Sequence, residues 1–118
     1  MVGYTPPRAP LFVPADRPER FDKAALSGAD AVILDLEDAV ADDAKDRARA
    51  ALRCDFTDLP VIVRVNQIGA LWHEADLAAL RSHPFAAIML PKAESRAAIE
   101  AMSATLPGLP VVALIESA

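Results

Sequence analysis

Five short apolar runs punctuate the chain: Leu11–Val13, Ala31–Leu34, Val61–Val65, Ala87–Leu90 and Val111–Ile115. Each has the length and the aliphatic composition of a buried strand. They begin at positions 11, 31, 61, 87 and 111, so consecutive starts lie 20 to 30 residues apart, which is room for one helix in each interval. Near-continuous apolar strands joined by helices imply a parallel sheet covered on its faces.

The intervals support this. Phe21, Ala24 and Ala25 recur at helical spacing, as do Leu77 and Leu80. Asp16, with Pro18 and Glu19 behind it, reads as a helix cap with a reciprocal glutamate. Gly28 and Gly108 fall where helices should stop.

Two architectures share the pattern. A doubly wound nucleotide-binding fold carries a glycine-rich turn after its first strand, whereas the glycines here, Gly3, Gly28, Gly69 and Gly108, are scattered. The chain therefore reads as α/β, the N-terminal five-strand portion (β1 to β5) of a (β/α)8 TIM barrel with its helices outside. Such barrels run to about 250 residues, so residues 1–118 are expected to form a single incomplete barrel domain.

Composition excludes several functions. Lys plus Arg is 12 against 17 Asp plus Glu, a net charge of -5, which offers no basic face to a nucleic acid. The longest apolar run, Phe85–Leu90, is far short of the ~20 residues of a membrane span. Pro6, Pro7 and Pro10 interrupt any signal-peptide core, so a soluble cytoplasmic protein is expected. A hydrophobic content of 53% suffices for a compact core. The single Cys54 reads as a packing residue.

Polar residues gather just after the apolar runs: Asp16 and Arg17, then Asp35, Glu37 and Asp38, then Arg64 and Asn66, then Lys92 and Glu94, then Glu116. That is the end of a barrel where chemistry sits, although any one of these carboxylates could simply cap the next helix. Side-chain alternation sharpens the choice. In the third run Val61, Val63 and Val65 share one face, expected toward the helices, which leaves Ile62, Arg64 and Asn66 on the other, with Arg64 in the barrel mouth. The same count puts Glu116 on the inner face of the fifth strand. Asp35 and Glu37 share a face, opposite Asp38.

An acidic cluster opposite an arginine suits a hard, oxygen-preferring cation such as Mg²⁺. Zinc is disfavoured, because His73 and His83 match no zinc spacing and read as surface or loop residues. Lys92 at a strand end allows a Schiff-base aldolase reading, which neighbouring Glu94 opposes by keeping the amine charged.

The segments LFVPADRPERFDKA, GADAVILDLEDAV with AKDRAR, VIVRVN, WHEADL, IMLPKAES and VVALIESA resemble the HpcH/HpaI aldolase/citrate lyase family, in its citrate lyase β-subunit (CitE-like) branch. The resemblance implies a Mg²⁺-dependent acyl-CoA lyase that breaks or forms a carbon–carbon bond between a 2-oxo acid and an acetyl-type coenzyme A thioester, citryl-CoA or malyl-CoA being typical. It implies that Arg64 lies against the substrate carbonyl as a catalytic and substrate-binding residue, that Asn66 joins it at the substrate, and that Glu116 ligates the metal. Asp35, Glu37 and Asp38 would act near the metal through water or by supporting its direct ligands. It also implies a homo-oligomer, trimer or hexamer.

The chemistry matches these residue types. Cleaving a β-hydroxy thioester develops an enolate on the thioester while the other fragment becomes a 2-oxo acid, whose carboxylate and carbonyl Mg²⁺ can hold together. A sheltered arginine at such an oxyanion is worth about 3 kcal/mol. The family's second metal ligand, an aspartate roughly one unit beyond the glutamate, has no counterpart before Ala118, so this chain alone is expected to be weak or inactive. A reading from another class is a non-catalytic half-barrel that binds a partner or self-assembles through its open sheet edges.

Overall fold

The computed structural model describes residues 7–91, 99–100, 103–104, 106 and 108–114, the last three as backbone. Five parallel strands, β1 (Leu11–Pro14), β2 (Val32–Asp35), β3 (Val61–Arg64), β4 (Ala87–Pro91) and β5 (Val111–Leu114), form one sheet in the order β1-β2-β3-β4-β5. Every expected strand is present, with boundaries shifted by no more than one residue. Consecutive order means that each crossover steps in the same direction, as in a (β/α)8 barrel and unlike a doubly wound sheet, whose order reverses.

Three helices fill the first three intervals: α1 (Phe21–Ala25), α2 (Lys45–Ala51) and α3 (His73–Ala79). A 3-10 turn leads into α1 and another into α2, and one follows α3. Most of the fourth interval, where the spacing predicts another helix, lies outside the described residues.

The Asp16 cap does not form. Arg17 N–H bonds back to Pro14 O at 3.0 Å, and this turn puts Arg17 in the cap position with no side-chain cap. Asp16 instead meets Arg47 of α2 at 3.4 Å. Gly28 has φ +92°, the left-handed conformation that ends a helix at little cost for glycine.

The strands bury different residues on their two faces. Val61, Val63 and Val65 join Val32, Leu34, Leu36, Ile88 and Leu90 in one core with Phe21, Ala24, Ala48, Leu52, Leu77 and Leu80 from the helical segments. Ala31, Ile33, Ile62, Ala87 and Met89 form a second cluster on the opposite face. The helix-facing valines and inward Ile62 are thus where alternation puts them.

Candidate active site

The site is built where β2 and β3 end. Asp35 and Arg64 are register partners, so their side chains rise side by side on the same face. Arg64 Nε donates to Asp35 Oδ1 at 2.9 Å and Nη2 to Oδ2 at 2.5 Å, a two-pronged ion pair. Asp35 is fully buried and also accepts the backbone N–H groups of Glu37 (2.8 Å) and Ala39 (3.1 Å). Four donors occupy its two oxygens, so it serves as an anchor for Arg64 and for the turn that follows β2.

Glu37 Oε1 lies 3.7 Å from Arg64 Nε, and Asp38 is exposed beside it. The hydrogen bonding to Asp35 raises the Arg64 pKa, burial opposes it, and the charges of Asp35, Glu37 and Asp38 add to the rise. The guanidinium is therefore a permanent cation. Its side chain is 12% exposed, and the ring of Phe12 covers it with a centroid 5.0 Å from Cζ. Two of its five N–H groups are spent on Asp35, leaving donors for an anionic or carbonyl ligand.

Asn66 is placed differently from the alternation argument. Strand β3 ends at Arg64, so strict alternation ends there too. The Asn66 side chain bonds toward the helices: Oδ1 accepts from Lys45 Nζ at 2.9 Å, and Nδ2 donates to Leu36 O at 3.0 Å and to Asp76 Oδ2 at 2.7 Å. It still borders the site, because it lines a cleft of about 240 Å³ with Glu37, Asp38, Lys45 and Trp72.

His73 also departs from expectation. It is buried at the first turn of α3, and its Nδ1 donates to Asn66 O at 2.7 Å, since a carbonyl can only accept. The surface reading missed that His73, Asp76, Leu77 and Leu80 follow helical phase and all point inward. His83 does sit in a loop, edge-on to Phe85 at 5.8 Å. Cys54 packs, half-buried, against the helix-side core, and burial raises its pKa.

Sequence reasoning missed two buried polar groups, Lys45 and Asp76, and the partly buried Arg49 that pairs with Asp76. Asp76 is fully buried and accepts from Arg49 at 3.1 Å and from both Asn66 nitrogens, tying α2 and α3 to the end of β3. A usable signal existed, because Lys45, Ala48 and Leu52 keep a helical period and all are buried.

Glu116, Lys92 and Glu94 lie outside the described residues. Among the described residues no three His, Cys, Asp or Glu side chains converge as a metal cage. The donors that do rim the site, Glu37 and Asp38, offer oxygen alone, which suits a magnesium-like ion that keeps several waters. No helix among the described residues is long and apolar enough to cross a membrane.

Comparison with known proteins bears on the family and the fold. Residues 8–118 match the family described as HpcH/HpaI aldolase/citrate lyase. A citrate lyase subunit beta-like protein of Mycobacterium tuberculosis is 48% identical over 113 residues, covering 92% of this chain and 38% of its own length. A (3S)-malyl-CoA thioesterase of Cereibacter sphaeroides is 41% identical over 118 residues, covering 96% of this chain and 41% of its own. The crystal structure of M. tuberculosis CitE in complex with magnesium, acetoacetate and coenzyme A superimposes with a TM-score of 0.78 at 47% identity, covering 92% of this chain and 39% of that one. The chain thus spans about two fifths of the length of the curated relatives it matches.

Proposed function

The chain belongs to the HpcH/HpaI aldolase/citrate lyase family, and from that premise we propose that it supplies the β1 to β5 part of one barrel domain in a cytoplasmic CitE-like carbon–carbon lyase. Its substrates would be a 2-oxo acid and an acetyl-type coenzyme A thioester of the citryl-CoA or malyl-CoA class. The observation that carries this reading is the fixed, permanently charged Arg64 at the carboxyl end of β3, gripped by buried Asp35 and flanked by Glu37. The M. tuberculosis relative bound to magnesium, acetoacetate and coenzyme A supports it.

In this reading Arg64 holds the carbonyl or carboxylate oxygen of the 2-oxo acid and stabilises negative charge there, in a site where Phe12 and the sheet keep water from the guanidinium face. Asp35 keeps the guanidinium in one orientation, so no reorganisation is needed as charge develops. Asn66, on the cleft wall, contributes to substrate binding. Glu116 is proposed as a direct Mg²⁺ ligand, with Glu37 and Asp38 acting through bound water and Asp35 through its hold on their turn. When bound, Mg²⁺ supplies Lewis acidity and a template for the oxo acid.

A second reading has its own observation. Leu11 and Phe12 on β1 are 40% and 43% exposed, and β1 has β2 as its one strand neighbour among the described residues. Open apolar edges favour association, so we propose a homo-oligomer, a trimer or hexamer as the family resemblance implies, whether or not the chain is catalytic.

The test compares the chain with a chimera extended by the segment that follows the matched region in the M. tuberculosis relative, each with MgCl₂ and citryl-CoA or (3S)-malyl-CoA. A lyase releases a 2-oxo acid and an acetyl-CoA in equal amounts. A thioesterase releases free coenzyme A and the intact hydroxy acid. We expect 2-oxo acid from the chimera, abolished by Arg64→Met; no 2-oxo acid from any of these substrates would end the lyase reading.

A further inference from the structure

Lys45 is a charged residue at the first position of α2, yet it is only 4% exposed. Its Nζ donates to Leu36 O at 2.9 Å, to Glu37 O at 2.8 Å and to Asn66 Oδ1 at 2.9 Å. These are all three N–H bonds an ammonium can make. The Trp72 ring lies 5.1 Å away, over the same charge. A buried cation is tolerated only when it is fully paired in this way.

The acceptors have a pattern. Two are carbonyls of the turn after β2, and the third is the side chain of Asn66 beyond β3. The same turn is held from its other side by Asp35, which accepts the N–H groups of Glu37 and Ala39. Residues 36–39 therefore form an arch with its amides fixed by a carboxylate and its carbonyls fixed by an ammonium. Glu37 and Asp38, the two carboxylates on that arch, have no helix or strand of their own to place them.

We propose that Lys45 is a positioning residue of the active site: its buried ammonium locks the 36–39 arch to Asn66, and so fixes where Glu37 and Asp38 stand beside Arg64. This rests on the lyase reading for its functional consequence, but not for the structural one. The three donors of Lys45 are all spent on the protein itself. The residue acts through the backbone of the arch, and the cation also offsets the acid that shares its cleft, Glu37, Asp38 and Asp42.

Lys45→Met removes the three donors and keeps the side-chain length. Leu77→Ala, a core truncation in α3, serves as the comparison that lowers stability without touching the arch. Amide hydrogen exchange should rise at least tenfold at Glu37, Ala39 and Val40 in Lys45→Met, relative to Val63 and Ile88 in the strands, whereas Leu77→Ala should raise exchange evenly. An even rise in Lys45→Met overturns the proposal. Lys45→Arg keeps the cation, but a planar fork cannot serve three diverging acceptors. It should show the same local opening in smaller measure, and an even profile there is equally fatal if Lys45→Met does not fold.

Calorimetry with MgCl₂ and oxaloacetate reads the consequence, on the chain extended as above. Binding should weaken about tenfold in Lys45→Met and stay within twofold in Leu77→Ala. Equal affinity in both would remove the positioning role. Absence of binding by the wild-type protein would instead count against the lyase reading, and the exchange profile would still decide whether Lys45 locks the arch.

Discussion

Asp35 and Arg64 face each other across neighbouring strands, and the guanidinium grips both carboxylate oxygens, at 2.9 and 2.5 Å. The strand register alone brings them together, because parallel partners at the same level share a face about 4.8 Å apart. The pair then sets the orientation of the cation that faces the candidate site from the inner side of β3.

Asp35→Ala leaves Arg64 charged and nearly buried with Glu37, 3.7 Å from Nε, as its remaining carboxylate, and strips the acceptors from Glu37 N–H and Ala39 N–H. Breaking a buried pair in this way costs about 3–5 kcal/mol. Urea unfolding of the two proteins measures it, and a loss under about 1 kcal/mol would mean the pair is solvated as a surface pair is.

Arg64→Lys keeps the charge and loses the fork. Lysine cannot hold both oxygens of Asp35 while presenting a donor to ligand, so turnover of the extended protein with a malyl-CoA or citryl-CoA substrate should fall about 10²–10³-fold, the usual cost of one lost oxyanion donor. Steady-state release of the 2-oxo acid checks this; turnover within threefold of wild type would take Arg64 out of the chemistry.

What could be read from the chain followed local rules. The strands were legible because a four-residue aliphatic run between turn signals has few other uses, and Arg64 because alternation still holds at the last strand residue. Asn66 was not, because the strand stops at Arg64 and the backbone turns before Asn66 is reached. Lys45 and Asp76 were hidden by their charge, which argues for a surface, while helical phase put both inward. Their partners are carbonyls, amide groups and a guanidinium from segments 8 to 27 residues away, a pairing that only the folded chain creates. The Asp16 cap failed for the reverse reason: a local motif was overridden by a turn one residue later.

Asp30 accepts Arg8 N–H at 2.6 Å and Ala9 N–H at 2.9 Å, tying the segment before β1 to the start of β2. The Arg8 bond, opposed by slight desolvation of this exposed carboxylate and aided by the Ala9 bond, lowers the Asp30 pKa. A lowered carboxylate stabilises the fold above the ordinary aspartate pKa of about 3.9, and that contribution is lost as pH falls through the folded value. In a ¹³C titration the Asp30 carboxyl should therefore titrate below that range, and the Arg8 and Ala9 amides should shift with it. Asp30→Asn should abolish the coupled shift; a midpoint at or above 3.9 would contradict the tie.

Cys54 provides a titration of the opposite sign. Burial, with the charge of Asp55 added, raises its thiol pKa, so the folded state favours the neutral SH and the unfolded chain ionises first. Its contribution is therefore complete below the unfolded value of about 8.5 and is lost as pH rises toward the folded one. Because the thiolate is the nucleophile, iodoacetamide should label native Cys54 more slowly than a cysteine peptide at pH 8, and the half-maximal rate should move to higher pH. The urea midpoint of the wild type should fall further between pH 8 and pH 10 than that of Cys54→Ala, which lacks the thiol but shares every other titrating group. Parallel curves for the two proteins, or labelling as fast as the peptide, would show that Cys54 is solvated like a free thiol and does not pack against the core.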